Sequence, residues 1–579
     1  MSLLKKGFIM KQKTPIVKAP KTERRCTPVS NILDEIRVLE KHADRPLFSY
    51  KQNGKDNTMT YAEFVTNVKK AAVGITEAGL AGKHIALLSE TRPEWFVCYF
   101  AVLLTGGVVI PMDKELAASE IANFLTIAKA EGLMFSAALA EKADIANHET
   151  LRVRIALDAA KEDADTESAV ALLPYAVMTD NDGAYEYPES VDAEKMCEML
   201  FTSGTTGTSK CVMLSQKNVF STVSAAIMSV NFTPDDVILS VLPIHHTYEL
   251  AVDLAAMNYG MHVCINDSLR RVLPNIQKYR PTGLVLVPLF VETMYKKILA
   301  EIKKSGKENT VKFGISLTRA SKKVGIDIRR KIFKQIHDSF GGRLEKIVCG
   351  GAALNPKLIR AFEDFGISIC EGYGITECSP LIAVAPYYAR KFGSVGPAVQ
   401  SCVARIAGDT MGDKGYVEGE IQVKGDNVML GYYANEEANA DAFTEDGWYR
   451  TGDVGYMDDD GYIYITGRIK SVIVLENGKN VFPEEIEEYL ADVEEIAEVV
   501  VVGRKAENSD SIVLTALVYA DASKIPAGSN AEEQQESIRK QISAINKKLP
   551  SFKQIHKVEF RDVEFEKTTT RKIRRNLVK

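Results

Sequence analysis

The densest chemical signal in the chain is a run of nine residues, Thr202-Ser203-Gly204-Thr205-Thr206-Gly207-Thr208-Ser209-Lys210, built only of glycine, hydroxyl side chains and one cation. Set after the apolar stretch MCEMLF, it offers backbone N–H and side-chain O–H donors to a polyphosphate, with Lys210 supplying positive charge. A flexible linker shares this composition but would not be locked between apolar runs. The chain has no Gly-x4-Gly-Lys-Ser/Thr motif, so nucleotide binding is expected without the mechanism of a P-loop NTPase. Further along, Glu377 closes the glycine-rich run Glu371-Gly372-Tyr373-Gly374-Ile375-Thr376-Glu377. A hard oxygen ligand for a Mg²⁺ ion bridging phosphates is expected there, a first-turn helix glutamate being the alternative. Of the adjacent His245 and His246, at least one reads as structural. Asp453, after Trp448-Tyr449-Arg450-Thr451-Gly452, is by itself an ordinary turn acid. The tail from Lys567 to Arg575 holds five basic residues within nine, a pattern that is usually a solvated face.

These residues need strands and helices to position them. From about 47 to 140 the pattern alternates: a hairpin around Asn53-Gly54, an amphipathic helix, the strand HIALLS, a helix and strand within residues 95–112, and a further helix. The same rhythm returns at 235–380, where DVILSVLP, HVCIND, GLVLVP, EKIVCGG and SICEGYG read as short strands ending in turn chemistry. Strands separated by helices imply parallel βαβ units, whose ligands sit beyond the carboxyl ends of the strands. That is where this sequence puts its glycines and acids. Beyond about 390 the texture becomes short strands with Gly and Asp turns, followed by an α+β segment joined near Gly467–Lys470. The expected fold is α/β. A large multi-subdomain N-terminal domain with parallel-sheet layers and a β-rich subdomain occupies 30–467, a small mobile α+β domain 468–579, and a flexible basic arm 1–29.

Composition narrows the functions. The 579 residues exceed one hydrophobic core, and 72 Lys and Arg against 77 Asp and Glu leave a net charge of −5, so no global basic field points to nucleic acid. Nine scattered cysteines without a CxxC pair fit a reducing, cytoplasmic setting and argue against a structural zinc. Residues 95–112 are uncharged and just reach the ~18 residues of a membrane span. Gly106-Gly107 offers a helix C-cap and Val108–Pro111 a buried strand, so helix plus strand inside an α/β core is expected instead.

Taken together, the motifs resemble the adenylate-forming superfamily of acyl-CoA synthetases, luciferases and peptide-synthetase adenylation domains. TSGTTGTSK is similar to its phosphate loop. Leu242-Pro243-Ile244-His245-His246-Thr247-Tyr248-Glu249 resembles the segment beside its acyl site, with His246 the better match to its histidine. Cys349-Gly350-Gly351-Ala352-Ala353 and Glu371–Glu377 resemble its adenine and acyl-phosphate segments, Trp448–Asp453 and Gly467-Arg468-Ile469-Lys470 its ribose and hinge segments, and Lys567–Lys572 the site of its C-terminal lysine. The likeness covers residues 30–579 in the family's order. It departs from the usual pattern at Glu566, where Pro is common, and at Arg571, where Gly is common.

The resemblance implies activation of a carboxylate by Mg-ATP to acyl-AMP and pyrophosphate, followed by transfer to coenzyme A. It implies catalytic roles for Lys572, Glu377, Thr376 and His246, and Mg²⁺ ligation by Thr202 and Glu377. Neither histidine has to be a general base, because the attacking carboxylate is already ionised at pH 7. Nucleotide and coenzyme contacts are implied for Thr202, Ser203, Gly204, Thr205, Thr206, Gly207, Thr208, Lys210, Gly351, Ala352, Glu371, Gly372, Tyr373, Gly374, Thr376, Asp453, Arg468, Lys470 and Gly478. Domain rotation about Lys470 separates the two steps, and the Val474–Pro483 loop lines the pantetheine tunnel. Residues 287–298 and 329–354 resemble long-chain fatty acyl synthetases more than acetate or aryl-acid enzymes. Acyl carrier protein as acceptor, or a non-catalytic nucleotide or acyl sensor, are the alternatives. Membrane contact is expected to be at most peripheral, through the basic termini.

Overall fold

The computed structural model describes residues 27–145, 149–202, 209–230, 232–412, 414–475, 480–505, 512–525, 530–567 and 573–578. The basic arm up to residue 26, the loop residues Ser203, Gly204, Thr205, Thr206, Gly207 and Thr208, and also Gly478 and Lys572, lie outside the described residues. The chain forms two compact units, residues 1–404 with 423–449 and residues 405–422 with 450–579.

The first unit holds two eight-stranded sheets. One runs, in spatial order, Ala171–Pro174, Val153–Ala156, Gly132–Phe135, His84–Leu88, Val108–Pro111, Met196–Thr202 (β1), Lys210–Ser215 (β2) and Gly431–Tyr432. Its strands are parallel as far as β1, and then β2 and Gly431–Tyr432 add antiparallel. The other runs Lys55–Thr60, Pro46–Gln52, His262–Ile265, Val237–Ser240, Gly283–Leu286 (β3), Lys346–Gly350 (β4), Ser368–Gly374 (β5) and Leu381–Val384. The expected hairpin is present: Gln52 pairs with Lys55 across Asn53 (φ +50°) and Gly54 (φ +78°), the two positive φ values of a type I′ turn. Helices Thr247–Asn258 (α1) and Pro288–Lys304 (α2) follow strands of this second sheet, and Glu308–Lys323 (α3) follows α2 directly. With helices packed on it, every residue of β3 is buried, which is why its sequence is continuously apolar rather than alternating.

The uncharged run at 95–112 resolves as helix Pro93–Leu104 followed by strand Val108–Pro111. The helix is buried on all sides, Phe96 packing 4.9 Å from Phe48 and Phe100 5.2 Å from Phe64 between ring centroids. It ends in a Schellman pair, with the Gly107 N–H donating to Val102 O and the Gly106 N–H to Leu103 O, and Gly106 at φ +72°. Among the described residues no helix is long and apolar enough to cross a membrane.

In the second unit, helices Pro483–Leu490 and Ala531–Asn546 bury Ile486, Leu490, Ile538 and Ile542 against the sheet formed by Ile496–Lys505, Ile512–Ala520 and Lys557–Arg561. A four-stranded sheet of Cys402–Met411, Val417–Gly425, Tyr449–Met457 (β6) and Ile463–Arg468 (β7) contributes most of its residues to the same unit. Asp453 pairs with Arg468 across β6 and β7, so the sequence-based boundary between Gly467 and Arg468 falls inside a hydrogen-bonded ladder.

Candidate active site

The strands on either side of the phosphate-loop sequence, β1 and β2, pair antiparallel. Thr202, the last residue of β1, pairs with Lys210, the first of β2, and the Thr202 hydroxyl donates to Lys210 O at 3.4 Å. No helix follows the loop directly, so any phosphate there would be held by loop donors and Lys210 without a helix dipole behind them. The Lys210 ammonium lies 4.5 Å from the centre of the Tyr432 ring, whose hydroxyl donates to Glu377 Oε1 at 2.8 Å. Tyr449 in turn donates to Tyr432. Burial and the Glu377 charge push both phenols above their ordinary range, so they stay protonated donors.

Backbone pairing fixes this cluster. Leu430 N–H donates to Met213 O and Tyr433 N–H to Cys211 O, adding residues 430–433 to the free edge of β2, while Met429 N–H donates to Glu377 O. One short segment therefore ties the phosphate hairpin to the turn that carries Glu377. Tyr432 was not among the residues expected from sequence. Nothing in Gly431-Tyr432-Tyr433 marks a two-residue edge strand, and the residues it joins lie far apart in the chain.

Glu377 and Thr376 occupy a single 3-10 turn, Thr376–Cys378, just beyond β5. β3, β4 and β5 are parallel and in register, Leu286 beside Cys349 and Cys349 beside Glu371, so Gly351, Ala352 and Glu371–Gly374 gather at the carboxyl end of one sheet. Tyr248 covers that end, its hydroxyl donating to Val348 O at 3.2 Å and its ring lying 3.1 Å from where a Gly350 Cβ would be. Tyr248 belongs to α1, whose N-cap is His246, so the histidine pair stands over the same strand ends. The two imidazoles are 4.2 Å apart, and His245 Nε2 is 3.5 Å from Asp113 Oδ2. Burial and then His246 hold the His245 pKa well below its usual value against the weaker pull of Asp113, so His245 is neutral at pH 7.

Behind the histidines, Ser240 Oγ lies 2.7 Å from Glu249 Oε1 and 2.9 Å from Asp253 Oδ2, all three residues buried. A serine hydroxyl has one proton, so at least one of these acids is protonated and donates back to it. Burial pushes both carboxyls up, in agreement with that count.

Asp453, Arg468 and Lys470 belong to the second unit. Asp453 is 3% exposed and pairs with Arg468 Nε at 2.8 Å, so it is not the solvated turn acid its neighbours suggest. Its N–H donates to the Thr451 hydroxyl, which itself donates to Ile421 O. A carboxylate has about four acceptor positions, so pairing with Arg468 leaves room for hydroxyl donors. Lys470 is exposed, in the turn Ile469–Ser471.

Of the residues assigned a metal role, Glu377 commits one oxygen to Tyr432 and Thr202 offers a hydroxyl. No cluster of three or more His, Cys, Asp or Glu that could cage an ion exists among the described residues. One hard oxygen beside a phosphate loop suits Mg²⁺, which keeps water and takes ligands from phosphates. The eight described cysteines are all buried, and burial pushes the thiols of Cys211, Cys264 and Cys402 up to about 12, which leaves them un-ionised. A cavity of about 370 Å³ beside Arg330, Lys346 and Ser368 opens at the amino ends of β4 and β5, away from these residues.

Residues 36–433 match the AMP-binding enzyme family, and residues 470–579 match the AMP-binding enzyme C-terminal domain. The chain is 29% identical over 501 residues to long-chain-fatty-acid–CoA ligase FadD15 of Mycobacterium bovis, covering 80% of this chain and 79% of that one. It is 28% identical over 542 residues to 4-coumarate–CoA ligase of Pinus taeda, covering 91% and 90%. ATP-bound MatB from Rhodopseudomonas palustris superposes with a TM-score of 0.72 at 24% identity, over 95% of this chain and 98% of that one, which shows a shared fold. The two family matches follow one another as the sequence motifs do, and the chain belongs to the adenylate-forming, AMP-binding enzyme family.

Proposed function

We propose that this ligase activates a long-chain fatty acid with ATP to the acyl-adenylate and pyrophosphate, then transfers the acyl group to the thiol of coenzyme A with release of AMP. The observation that carries the reading is the cluster at Tyr432, where the cation ending the phosphate hairpin and the acid expected to face the same phosphates share one side chain. The chemistry explains the two steps. A free carboxylate is a poor electrophile toward a thiol. Attack of its oxygen on the α-phosphorus, with pyrophosphate leaving, turns it into an acyl phosphate anhydride that a thiol can open. No enzyme nucleophile is required, which suits a chain whose described thiols are buried and un-ionised.

In this reading the loop from Thr202 to Lys210 binds the β- and γ-phosphates, and Tyr432 orients the Glu377 carboxylate. Glu377 and Thr202 would hold Mg²⁺, which would supply charge neutralisation at the phosphates. Thr376 and His246 border the acyl carboxylate. Gly351, Ala352 and Glu371–Gly374 leave space for adenine, and Asp453 with Arg468 takes the ribose. Lys572 stabilises negative charge developing at the α-phosphate, Lys470 is the turning point of residues 468–579 between steps, and Gly478 belongs to the pantetheine path.

Long-chain specificity rests on the similarity to FadD15 and on the resemblance of residues 287–298 and 329–354 to long-chain synthetases. ATP–pyrophosphate exchange with a panel of acids tests it. Exchange should be faster with palmitate than with acetate or 4-coumarate, and a preference for the aromatic acid would overturn the chain-length assignment. Coenzyme A should accept the acyl group where holo-acyl carrier protein does not; the reverse preference would identify a carrier-protein synthetase. Lys572→Ala should slow exchange by about 10²–10³-fold, roughly 3–4 kcal/mol of lost transition-state stabilisation, and undiminished exchange would remove Lys572 from the first step.

A further inference from the structure

Residues 288–340 differ from the rest of the chain in charge. They hold thirteen Lys and Arg against five Asp and Glu, a net of +8, while the whole chain nets −5, so the remaining residues carry −13. The segment comprises α2, α3, the turn after α3 and the short helices Arg329–Ile332 and Lys334–Ser339.

α3 has two apolar faces. One packs inward: Gly314 and Thr318 are buried, and Val311 and Ile315 lie against the hydrophobic core. The other is bare. Phe313 is 69% exposed and Leu317 42%, and the chain continues with Val324 at 73% and Ile326 at 58%. Positions 313, 317 and 324 are spaced i, i+4 and i+11, one face of a helix, and Gly325 at φ +81° makes the turn that presents Val324 and Ile326. An apolar surface of this kind on a soluble body marks an interaction site.

The cations around it divide by role. Arg319 and Lys322 pair with Asp364 and Glu363 and hold α3 to the body of the unit. Lys303, Lys304, Lys312, Lys323 and Lys331 have no ion-pair partner among the described residues, and all are exposed. An apolar centre with a rim of uncompensated lysines is the complement of an anionic bilayer, which takes apolar side chains at its headgroup boundary and attracts each nearby cation. The lysines come from both long helices and from the short helix beyond the turn. The apolar side chains stand on a helix face and a turn rather than around a groove. Both features suit a broad, fluid anionic surface better than one acidic helix of a protein partner.

We propose that this face of α3 and its following turn docks the enzyme on anionic membrane surfaces, with Phe313, Leu317, Val324 and Ile326 entering the headgroup boundary and the unpaired lysines contacting lipid phosphates. α2 links the face to the candidate active site. It begins at Pro288, next to Val287, whose Cγ1 lies 3.5 Å from where a Gly351 Cβ would be, and its 17 residues run about 25 Å toward α3. The docking is separate from the chemistry and does not depend on the acyl group activated.

Flotation of the full chain with phosphatidylcholine vesicles, with and without about 30 mol % phosphatidylglycerol, tests the proposal. Binding is expected only to the anionic vesicles and should weaken in about 0.5 M salt. Two variants read the two parts of the face: Phe313→Ser with Leu317→Ser, Val324→Ser and Ile326→Ser, and Lys303→Glu with Lys304→Glu, Lys312→Glu and Lys323→Glu. Each should lose vesicle affinity at least about tenfold while keeping ATP–pyrophosphate exchange with acid presented in solution. Absence of binding by the unaltered protein, or binding by either variant as tight as that of the unaltered protein, would overturn the proposal. Retained vesicle binding with slowed transfer to holo-acyl carrier protein would overturn it too, by showing the face to be a protein dock. Because flotation needs no turnover, a failure of the ligase reading leaves this result untouched.

Discussion

Tyr432 joins two tasks in one side chain: its ring lies under the Lys210 ammonium, and its hydroxyl donates to Glu377. Substitution can separate them. Tyr432→Phe keeps the ring and removes only the donor to the carboxylate. A hydrogen bond to a charged acceptor contributes about 1.5–3 kcal/mol, so adenylation should fall by about 10- to 100-fold with ATP affinity little changed. Titrating Mg²⁺ in the exchange assay checks the cause. A higher Mg²⁺ requirement in the variant is expected if Tyr432 orients a metal-binding carboxylate; an unshifted requirement would separate Glu377 from the metal. Glu377 and Lys210 were legible as residues because each closes a run of unusual composition. Their meeting was not, because the side chain between them comes from a segment whose composition is ordinary.

At the scale of elements, the end of β5 shows how closely the backbone constrains the site. A Cβ on Gly374 would lie 2.0 Å from Pro380 O, whereas one on Gly372 would meet nothing nearer than 3.9 Å. Gly374→Ala should therefore destabilise the first unit by about 3 kcal/mol, and Gly372→Ala by less than about 1 kcal/mol, read as the shift in urea midpoint. Equal effects would mean that the β5 end yields more readily than its packing indicates. The elements themselves were largely readable. The hairpin at Asn53-Gly54, the Schellman end at Gly106-Gly107 and the short parallel strands each follow from local rules of φ, capping and burial. Three things were not readable, for a common reason. The antiparallel return of β2, the ladder joining Asp453 to Arg468 across the apparent domain boundary, and the exposed face of α3 depend on which distant segment does or does not pair with them. Periodicity around Val311 and Phe313 shows an apolar helix but not which apolar face is covered.

Over the whole molecule, buried acids set how stability responds to pH. Burial pushes Glu35 and Glu198 up to about 8, with one Asn258 amide donating to Glu35 at 2.7 Å and the Tyr99 hydroxyl 3.5 Å from Glu198. In an unfolded chain both would titrate near 4.3. The folded pKa values are thus raised, so the associated stability is complete below about pH 4.3 and is lost as pH climbs through about 8. From pH 6.5 to 8.5 the urea midpoint should fall, at roughly 1 kcal/mol per pH unit for each acid, and Glu35→Gln should flatten the slope. A midpoint that holds steady or rises over that range would show both carboxylates ionised in the native protein. The edge of the first sheet has a consequence of another kind, in the order of synthesis. β1 and β2 are translated more than 200 residues before Gly431 and Tyr432. Until residues 430–433 emerge, β2 presents unpaired backbone groups of the kind that recruit other strands, and Glu377 has no phenol to orient it. A nascent chain therefore gains a closed sheet edge and an assembled Lys210–Tyr432–Glu377 cluster in the same stretch of translation, and a chain cut short before it has neither.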